Sequence, residues 1–557
     1  MGIDESIGLE GKDVQMEQTT STASDEVSYP TGIPLWSILI SLTVVIFLVS
    51  MDGTIITTAI TRITDEFDST ADIGWYGSAY KLTICAFQLA YGNIFKLFPV
   101  KWVFLSALTL FELGCVISAV AQHSYVFIIG RALSGLGAAG VLTGWVILTR
   151  LALPLEKRPL VTGIVGSMEG VAIVIAPLLG GVFTSRLSWR WCFYINIILG
   201  APTGIAIILF FPKSTSANKS SSVAPPDRKM TLAGASKKFF TKFDILGLMS
   251  ILPAIFCTLL ALEWGGSSYN WANSRIIALF VLGGVFFIIW GMLQFYQGDK
   301  ATVPVRIIKQ RSVACCVLYS FGISGTLNLF EYYTVKGVSA IKAGYMSLPL
   351  TGGLIISSIA TGFALSRLGY YTPFMMAGGV LMILGVSLMT TLKPASGISE
   401  WAPFELLIGL AAGIGFQQPL IAIQAILPDA GDAALGTAIV IFTQSFSSSI
   451  FLSVGNTIFS NGIIRGIRSA NLTTSSDDVD VSASGLNGLV ALLGPSTNQT
   501  VQLAKMILNS AVRDVFYLAL GTACLLMVGA LGVEWKSVKR KSDPETHDQR
   551  HKSSSES

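Results

Sequence analysis

Seven ionisable side chains lie inside long apolar stretches of the chain, where a charge is energetically costly, and four of them are the leading candidates for chemistry. These four are Asp52, Arg131, Glu169 and Glu331. A charged group at the centre of a bilayer costs about 2.5–3.5 kcal/mol on insertion scales, so residues of this kind usually mark an ion or proton path. Because carboxyl groups can bind and release protons beside a fixed guanidinium, we take these four residues as candidates for proton coupling.

Plainer interpretations of these charges remain open. Asp52 could lock one helix end to a neighbour, and the Arg131 side chain could extend to the membrane surface. Lys81 is a further charge within the second apolar stretch, and the sequence suggests no partner for it. Glu112 and Glu405 are weaker candidates, since Glu405 lies near a predicted helix boundary.

Small residues and one proline accompany the charges on the fourth and fifth apolar stretches. The set comprises Gly135, Gly137, Gly170, Pro177, Gly180 and Gly181. Glycine lets helix backbones approach closely, and a proline frees backbone groups that must then find partners in the protein or in a cavity. We therefore predict packing or hinge positions here rather than ligand contacts.

Side-chain amides form a third group of interest, as candidates for lining a substrate cavity. They are Gln88, Asn328, Gln417, Gln418 and Gln444. Pro419 follows two of them directly and should interrupt its helix where both amides can be presented. The alternative, amides that only bond neighbouring helices, is equally open at this point.

The composition shows which elements must position these groups. Of 557 residues, 52% are hydrophobic and only 13% are charged, and the mean hydropathy is +0.64. A soluble domain would carry about twice that share of charge. Apolar runs of about 20 residues recur from residue 34 to 533, and no alternating strand pattern appears. The sequence therefore predicts an all-α polytopic membrane protein with about fourteen spanning helices.

The spacing of the runs divides the chain into six parts. These are a disordered tail (1–33), a six-helix bundle (34–212), a polar linker (213–242), two additional spanning helices (243–296), a second six-helix bundle (297–533) and a tail (534–557).

The distribution of Lys and Arg predicts the orientation. Loops on one side carry roughly twice the positive charge of the others, which places both termini in the cytoplasm. The last outside loop, 461–510, holds two N-glycosylation patterns, at Asn471 and Asn498.

Several classes of protein are disfavoured. We find no phosphate-binding G-x-x-x-x-G-K-[ST] pattern, no nucleophile–base arrangement and no spacing typical of metal ligands, and the seven cysteines suggest packing residues. We therefore expect no enzyme activity, no metal, no cofactor and no nucleic-acid partner.

Four motifs follow one another through the first half of the chain. They are residues 51–56 (MDGTII), 131–139 (RALSGLGAA), 170–181 (GVAIVIAPLLGG) and 189–196 (WRWCFYIN). Together they resemble signatures of the major facilitator superfamily, and more narrowly its fourteen-spanning drug:proton antiporter branch in the fungal toxin and multidrug efflux form. The resemblance covers about residues 34 to 535 and implies the major facilitator fold, two six-helix bundles plus two extra central helices.

The chain also departs from that family. Lys96 stands where an acidic residue is usual, so the charge latch common at this loop cannot form, and Ala176 replaces the glycine before Pro177. A short piece that relatives carry is missing beside Tyr333–Thr334. Either the outer connection is shorter here, or the gene model has lost a segment.

The resemblance implies a secondary active transporter that exports amphipathic organic compounds, such as a fungal mycotoxin or drugs, by proton antiport with alternating access. The expected partners are a small organic substrate, protons and the lipid bilayer, with a monomer in the plasma membrane; the vacuolar membrane is the alternative location. A proton-coupled importer, such as a siderophore carrier, and a non-transporting membrane sensor are the competing functions.

Overall fold

The computed structural model describes residues 29–69, 72–211, 244–266, 269–334, 345–394, 396–469, 490 and 498–539. Nearly all of these residues are helical, and none of them forms a strand. The predicted all-α fold is confirmed. The linker 213–242 and Asn471 lie outside the described residues.

Six helices make up the first half. They are α1 (Ile33–Phe67), α2 (Ile73–Leu97), α3 (Val100–Val120), α4 (Ser124–Ala152), α5 (Arg158–Arg186) and α6 (Trp191–Phe210). Within this half, α4 packs against both α2 and α3, while α1 packs against α5 and α6.

A helical hairpin and a second half follow. The hairpin consists of α7 (Ile245–Trp264) and α8 (Ser274–Gln297). The second half contains α9 (Arg311–Thr334), α10 (Leu348–Leu368), α11 (Thr372–Met389), α12a (Ile398–Gly415), α12b (Gln418–Ile426), α13 (Ala430–Ser469) and α14 (Asn498–Gly532). The two halves meet mainly where α5 packs on α10 and where α2 packs on α13.

Proline marks where several helices begin, because its missing N–H and fixed φ suit the first helical turn. It occurs there in α1, α5, α10, α11 and α12b. In α12b the proline is Pro419, which cannot donate a hydrogen bond back to Gly415 and whose ring crowds that carbonyl group. The predicted interruption is therefore found, between Gly415 and Gln418.

Thirteen helical stretches among the described residues are long and apolar enough to cross a membrane, with α12a and α12b counted as one. The helix missing from that set is α2, which carries Lys81 and Lys96 but packs between α4 and α13. With α2 included, the count agrees with about fourteen spanning helices.

Three helices extend beyond the apolar runs that predict them, because their polar ends are still helical. α1 continues to Phe67, α13 continues to Ser469, and α14 begins at Asn498. The predicted outside loop, 461–510, is thus helical at both ends. Asn498 opens α14, and its side chain lies outside the described part.

Glycine determines how closely α4 approaches α3. A Cβ atom on Gly137 would lie 2.6 Å from the carbonyl oxygen of Ala107 and from the Cα of Phe111, both on α3. A Cβ on Gly135 would meet the α2 backbone in the same way, at the Tyr80 carbonyl oxygen, whereas a Cβ on Gly180 would first meet the Thr58 side chain of α1. Gly170 is looser, since its Cβ would lie 3.0 Å from the Leu354 side chain of α10. Gly181 has open space there, with no atom within 4 Å, so it makes no close contact that a side chain would disturb.

We predict that Gly137→Ala destabilises the protein and that Gly181→Ala does not. Overpacking against a rigid backbone costs about 1–3 kcal/mol, whereas alanine in open space gains up to about 1 kcal/mol of helix propensity. The apparent melting temperature in detergent should fall for Gly137→Ala and stay level or rise for Gly181→Ala. Equal melting temperatures for the two variants would contradict the close α3–α4 packing.

Candidate functional site

The centre of the first half holds a buried ion pair between two of the predicted residues. Arg131 of α4 and Asp52 of α1 are both 0% exposed. Arg131 Nη1 donates to Asp52 Oδ2 at 2.5 Å, and Nη2 donates to the Asp52 carbonyl oxygen at 3.4 Å. The guanidinium therefore does not extend to the membrane surface, and α1 is held directly to α4.

Residues from three other helices complete this cluster. Asn196 of α6 donates from Nδ2 to Asp52 Oδ1 at 3.0 Å, and it also lies 3.4 Å from the Cys115 sulfur of α3. Arg131 Nε donates to the Tyr76 carbonyl oxygen of α2 at 3.2 Å. The guanidinium lies over the Tyr80 ring, 4.4 Å from its centroid, and makes a cation–π contact with it. Five helices thus converge on this ion pair.

An aromatic layer separates the cluster from one end of the bundle. Phe127 is 0% exposed and packs edge to face against Tyr76, Trp189 and Phe193, with ring centroids 5.2–5.7 Å apart. Beyond it, the Trp189 and Arg190 side chains both donate to the Glu66 carboxylate at the end of α1. The ion pair therefore lies behind a packed apolar layer, where its charges are poorly screened.

The stability of a buried pair of this kind depends on the charge of both members. The attraction offsets the cost of desolvation only while both groups are charged and well aligned. If Asp52 accepts a proton, Arg131 loses its anionic partner, and the bond between α1 and α4 weakens. The arrangement can therefore convert proton binding into a change in helix packing.

A second cluster of polar side chains joins the two halves at the break between α12a and α12b, which we name the α12 break. Gln417 Nε2 lies 3.5 Å from Glu169 Oε2 of α5. Gln444 Nε2 of α13 donates to the Phe416 carbonyl oxygen, which the break leaves accessible, at 3.4 Å. Ser324 of α9 then donates to the Gln444 carbonyl oxygen at 2.8 Å.

Asn328 ends this polar chain by donating to the Ser324 carbonyl oxygen at 2.9 Å. Within the described part of the protein, the Oε1 atoms of Gln417 and Gln418 are buried without a hydrogen-bond partner. Four of the five predicted cavity amides therefore lie at or near the break, and Gln417 among them lies beside Glu169. The unpartnered oxygens are able to accept hydrogen bonds from a ligand.

The family model described as Major Facilitator Superfamily matches residues 42–454. The chain belongs to this superfamily. It is 40% identical to the "MFS-type efflux pump MFS1" of Trichophyton rubrum, over 96% of this chain and 98% of that pump. It is also 40% identical to the "Efflux pump aflT" of Aspergillus parasiticus, over 93% and 99% of the two chains.

Among solved structures, the chain resembles the proton:xylose symporter XylE with a TM-score of 0.53 and 15% identity, covering 92% of this chain and 98% of that one. This likeness supports the superfamily fold alone. The family match, the relatives and the apolar helices together show a multi-pass membrane transporter of the superfamily.

Gln88 differs from the other predicted cavity amides. Its Nε2 donates to Thr143 Oγ1 at 2.6 Å and to the Ala139 carbonyl oxygen at 3.3 Å, both on α4. The side chain is 0% exposed. The amide nitrogen of Gln88 therefore holds α2 against α4.

Glu331 belongs to a different group of charges from Asp52. Lys81 of α2 attracts the Glu331 carboxyl group electrostatically, and it also attracts that of Glu263 in α7. Lys81 and Glu263 line a small cavity of about 80 Å³ between α2, α7 and α13. The structure thus supplies the partners for Lys81 that the sequence does not reveal.

Arginines join the two halves at one end of the bundle, which we name the Arg150 end. Arg150 Nη1 donates to the Leu427 carbonyl oxygen at 3.3 Å, and Nη2 donates to that of Pro428. Arg158 Nη1 lies 3.4 Å from Gln424 Oε1. These bonds cross from α4 and α5 to α12b and the turn after it, so the halves are in contact at this end.

Sequence reasoning missed Asn196, Cys115 and Tyr80 as members of the ion-pair cluster. Asn196 carried a signal, because it ends the motif at residues 189–196. Cys115 and Tyr80 carried none, since each is an ordinary residue of an apolar helix.

Proposed function

We propose that this protein exports amphipathic organic compounds by exchanging them for protons. The buried Asp52–Arg131 pair is the observation that carries the proposal. The Asp52 carboxylate binds the coupling proton, and Arg131 competes with the proton for this carboxylate. A ligand can shift a two-state equilibrium only by its differential affinity for the two states, and Asp52 supplies that difference for the proton.

The halves at 34–212 and 297–533 rock about the polar group at the α12 break, giving alternating access. Substrate lies between them, near Glu169 and the unpartnered oxygens of Gln417 and Gln418. Discontinuous helices in transporters place such groups near the bilayer midplane. Surrounding apolar side chains suit an amphipathic compound rather than a sugar. Protonated amines and hydroxyl groups can donate to the oxygens.

Export is favoured over import because the relatives at 40% identity are described as efflux pumps. The same comparison favours a working transporter over a membrane sensor. Substrates would include secondary metabolites and drugs.

The Arg150 end faces the cytoplasm, as the distribution of Lys and Arg indicates. With that orientation, the contact between the halves at the Arg150 end closes the cytoplasmic side of the transporter. Both termini are then cytoplasmic, and Asn471 and Asn498 lie outside, where glycosylation occurs. The protein works as a monomer in the plasma membrane.

The proposal is tested by accumulation of labelled toxic metabolites and azoles in cells that lack or overexpress the protein, with and without a protonophore. Overexpression should lower accumulation, and the protonophore should abolish that effect. Higher accumulation on overexpression would replace the exporter with an importer.

Glu169→Gln should weaken substrate handling while leaving the ion pair intact. The substitution removes a charge beside Gln417 but keeps the shape, so we expect the KM for cationic substrates to rise about tenfold, as loss of one charge-assisted hydrogen bond predicts. Transport kinetics for a cationic and a neutral substrate measure the difference. An equal change for both would remove Glu169 from the substrate site.

Arg150→Ala should favour the state open at the Arg150 end. Its guanidinium makes two bonds to backbone carbonyl groups of the second half, and bonds to charged groups contribute about 1.5–3 kcal/mol each. A cysteine at Ser358 of α10, which is buried against the Gly163 carbonyl oxygen of α5, keeps nearly the same shape and should become more reactive to a water-soluble maleimide applied at that end. Unchanged labelling would mean that Arg150 does not hold the halves together.

A further inference from the structure

A second cavity lies wholly within the second half, away from the ion pair and the α12 break. Its volume is about 310 Å³, at the lower end of the range for ligand pockets. It is lined by residues of α11, α12a, α14 and the connection between α11 and α12a, together with Met346 just before α10. The Asn509 side chain donates to the Leu392 carbonyl oxygen at 3.3 Å and fixes that connection beside the cavity.

Glu405 forms the floor of this cavity. It is 1% exposed, yet both of its carboxylate oxygens lack a hydrogen-bond partner within the described residues. A buried carboxyl group with no hydrogen-bond partner on either oxygen is costly in either protonation state, so the site is incomplete as it stands. Glu405 lies seven residues into α12a, about 10 Å from the end of the helix. This depth places it just below a membrane interface.

Three cations line the same cavity, and all of them are exposed: Lys393, Lys505 and Arg513. None forms an ion pair or a hydrogen bond with Glu405 in the described part of the chain. Since Glu405 is buried and the cations are exposed, the cations lie at the mouth and the carboxylate at the floor. Trp401, Phe516 and Met389 supply apolar walls between them.

We propose that this cavity binds the headgroup of a zwitterionic phospholipid whose headgroup ends in a primary ammonium, the ethanolamine class. The ammonium donates hydrogen bonds to Glu405, the ethanolamine methylenes pack on the apolar walls, and the phosphate lies among the three cations, so that the acyl chains leave the cavity at its mouth. A simple organic cation would satisfy Glu405 but would meet three like charges at the mouth. A simple anion would leave Glu405 unpaired. The surrounding bilayer supplies the lipid continuously, and tryptophan and basic residues are typical of the interface.

The full-length protein purified in detergent allows a direct test by native mass spectrometry. Phosphatidylethanolamine and phosphatidylcholine with identical acyl chains are titrated separately. Choline has no N–H donor, so we expect the wild type to bind phosphatidylethanolamine at least tenfold more tightly. Glu405→Gln should abolish this preference, whereas Glu400→Gln, an exposed position on the same helix, should retain it. Lys505→Gln should weaken both lipids, since both carry the phosphate.

A second variant tests the cavity independently, in case Glu405→Gln fails to fold. Val512→Trp fills the cavity with Glu405 unchanged and should reduce binding of both lipids. Equal affinity of the wild type for the two lipids, or a preference that survives in Glu405→Gln, would overturn the proposal. Displacement of the lipid by soluble phosphoethanolamine at equal concentration would show that the site takes a free zwitterion, and would also overturn the lipid assignment. Each readout is independent of transport.

Discussion

Asp52→Asn should abolish transport driven by a pH gradient while the protein still folds. The amide keeps the shape of the carboxyl group, and its oxygen can still accept a bond from Arg131 Nη1, which now lies 2.5 Å from Asp52 Oδ2. It cannot exchange a proton. We therefore expect gradient-driven substrate movement in proteoliposomes to fall more than tenfold, to background, with substrate binding retained.

The matched control is Asp65→Asn, an exposed aspartate near the end of the same helix. That variant should transport like the wild type. Asp52→Glu tests the chemistry rather than the shape, and should retain part of the coupling because it keeps a titratable group. Full coupling in Asp52→Asn would assign the proton to another carboxylate, with Glu169 the first to test.

Arg131→Met should produce the largest loss of stability. It leaves the Asp52 carboxylate buried without its cationic partner, and breaking a buried pair from one side costs about 3–5 kcal/mol. An isolated carboxylate in this environment becomes neutral by keeping its proton. We expect a lower melting temperature in detergent, together with loss of transport.

The double variant Asp52→Leu/Arg131→Met separates the charge effect from packing. Replacing both members of a buried pair by apolar residues is often close to neutral for stability, so the double variant should melt at a higher temperature than Arg131→Met alone. Such non-additivity is the mark of direct interaction. Transport should stay absent in both variants. A double variant less stable than Arg131→Met would argue that the ion pair contributes little to holding α1 on α4.

Some residues of this site could be predicted from the sequence and others could not, because their residue types differ in what they reveal. Asp52 and Arg131 were predictable because a charge in an apolar run is costly wherever it points, so each needs a partner. Their pairing could not be predicted, because 79 residues separate them and only the packing of α1 on α4 brings them together. The partners of Lys81 were hidden for the same reason.

The amide side chains show more clearly what the sequence could not predict. Gln88 and Gln417 look alike as single amides in apolar helices. Both have a buried Oε1 without a partner among the described residues. The Gln88 nitrogen has two acceptors on α4, whereas Gln417 lies at a helix break with its nitrogen beside Glu169. Only Pro419, two residues away, distinguished Gln417 in the sequence. Similarly, Gly137 and Gly181 belong to equally good motifs, yet only Gly137 lies against a neighbouring backbone.

The most direct test of the account is counterflow beside gradient-driven transport for wild type and Asp52→Asn in the same proteoliposomes. A fluorescent organic cation that the wild type exports serves as substrate. We expect wild type to concentrate the dye against its gradient only when a pH gradient is imposed, and Asp52→Asn to exchange dye for dye but never to concentrate it. If Asp52→Asn concentrates the dye as the wild type does, the Asp52–Arg131 pair is not the proton-coupling site.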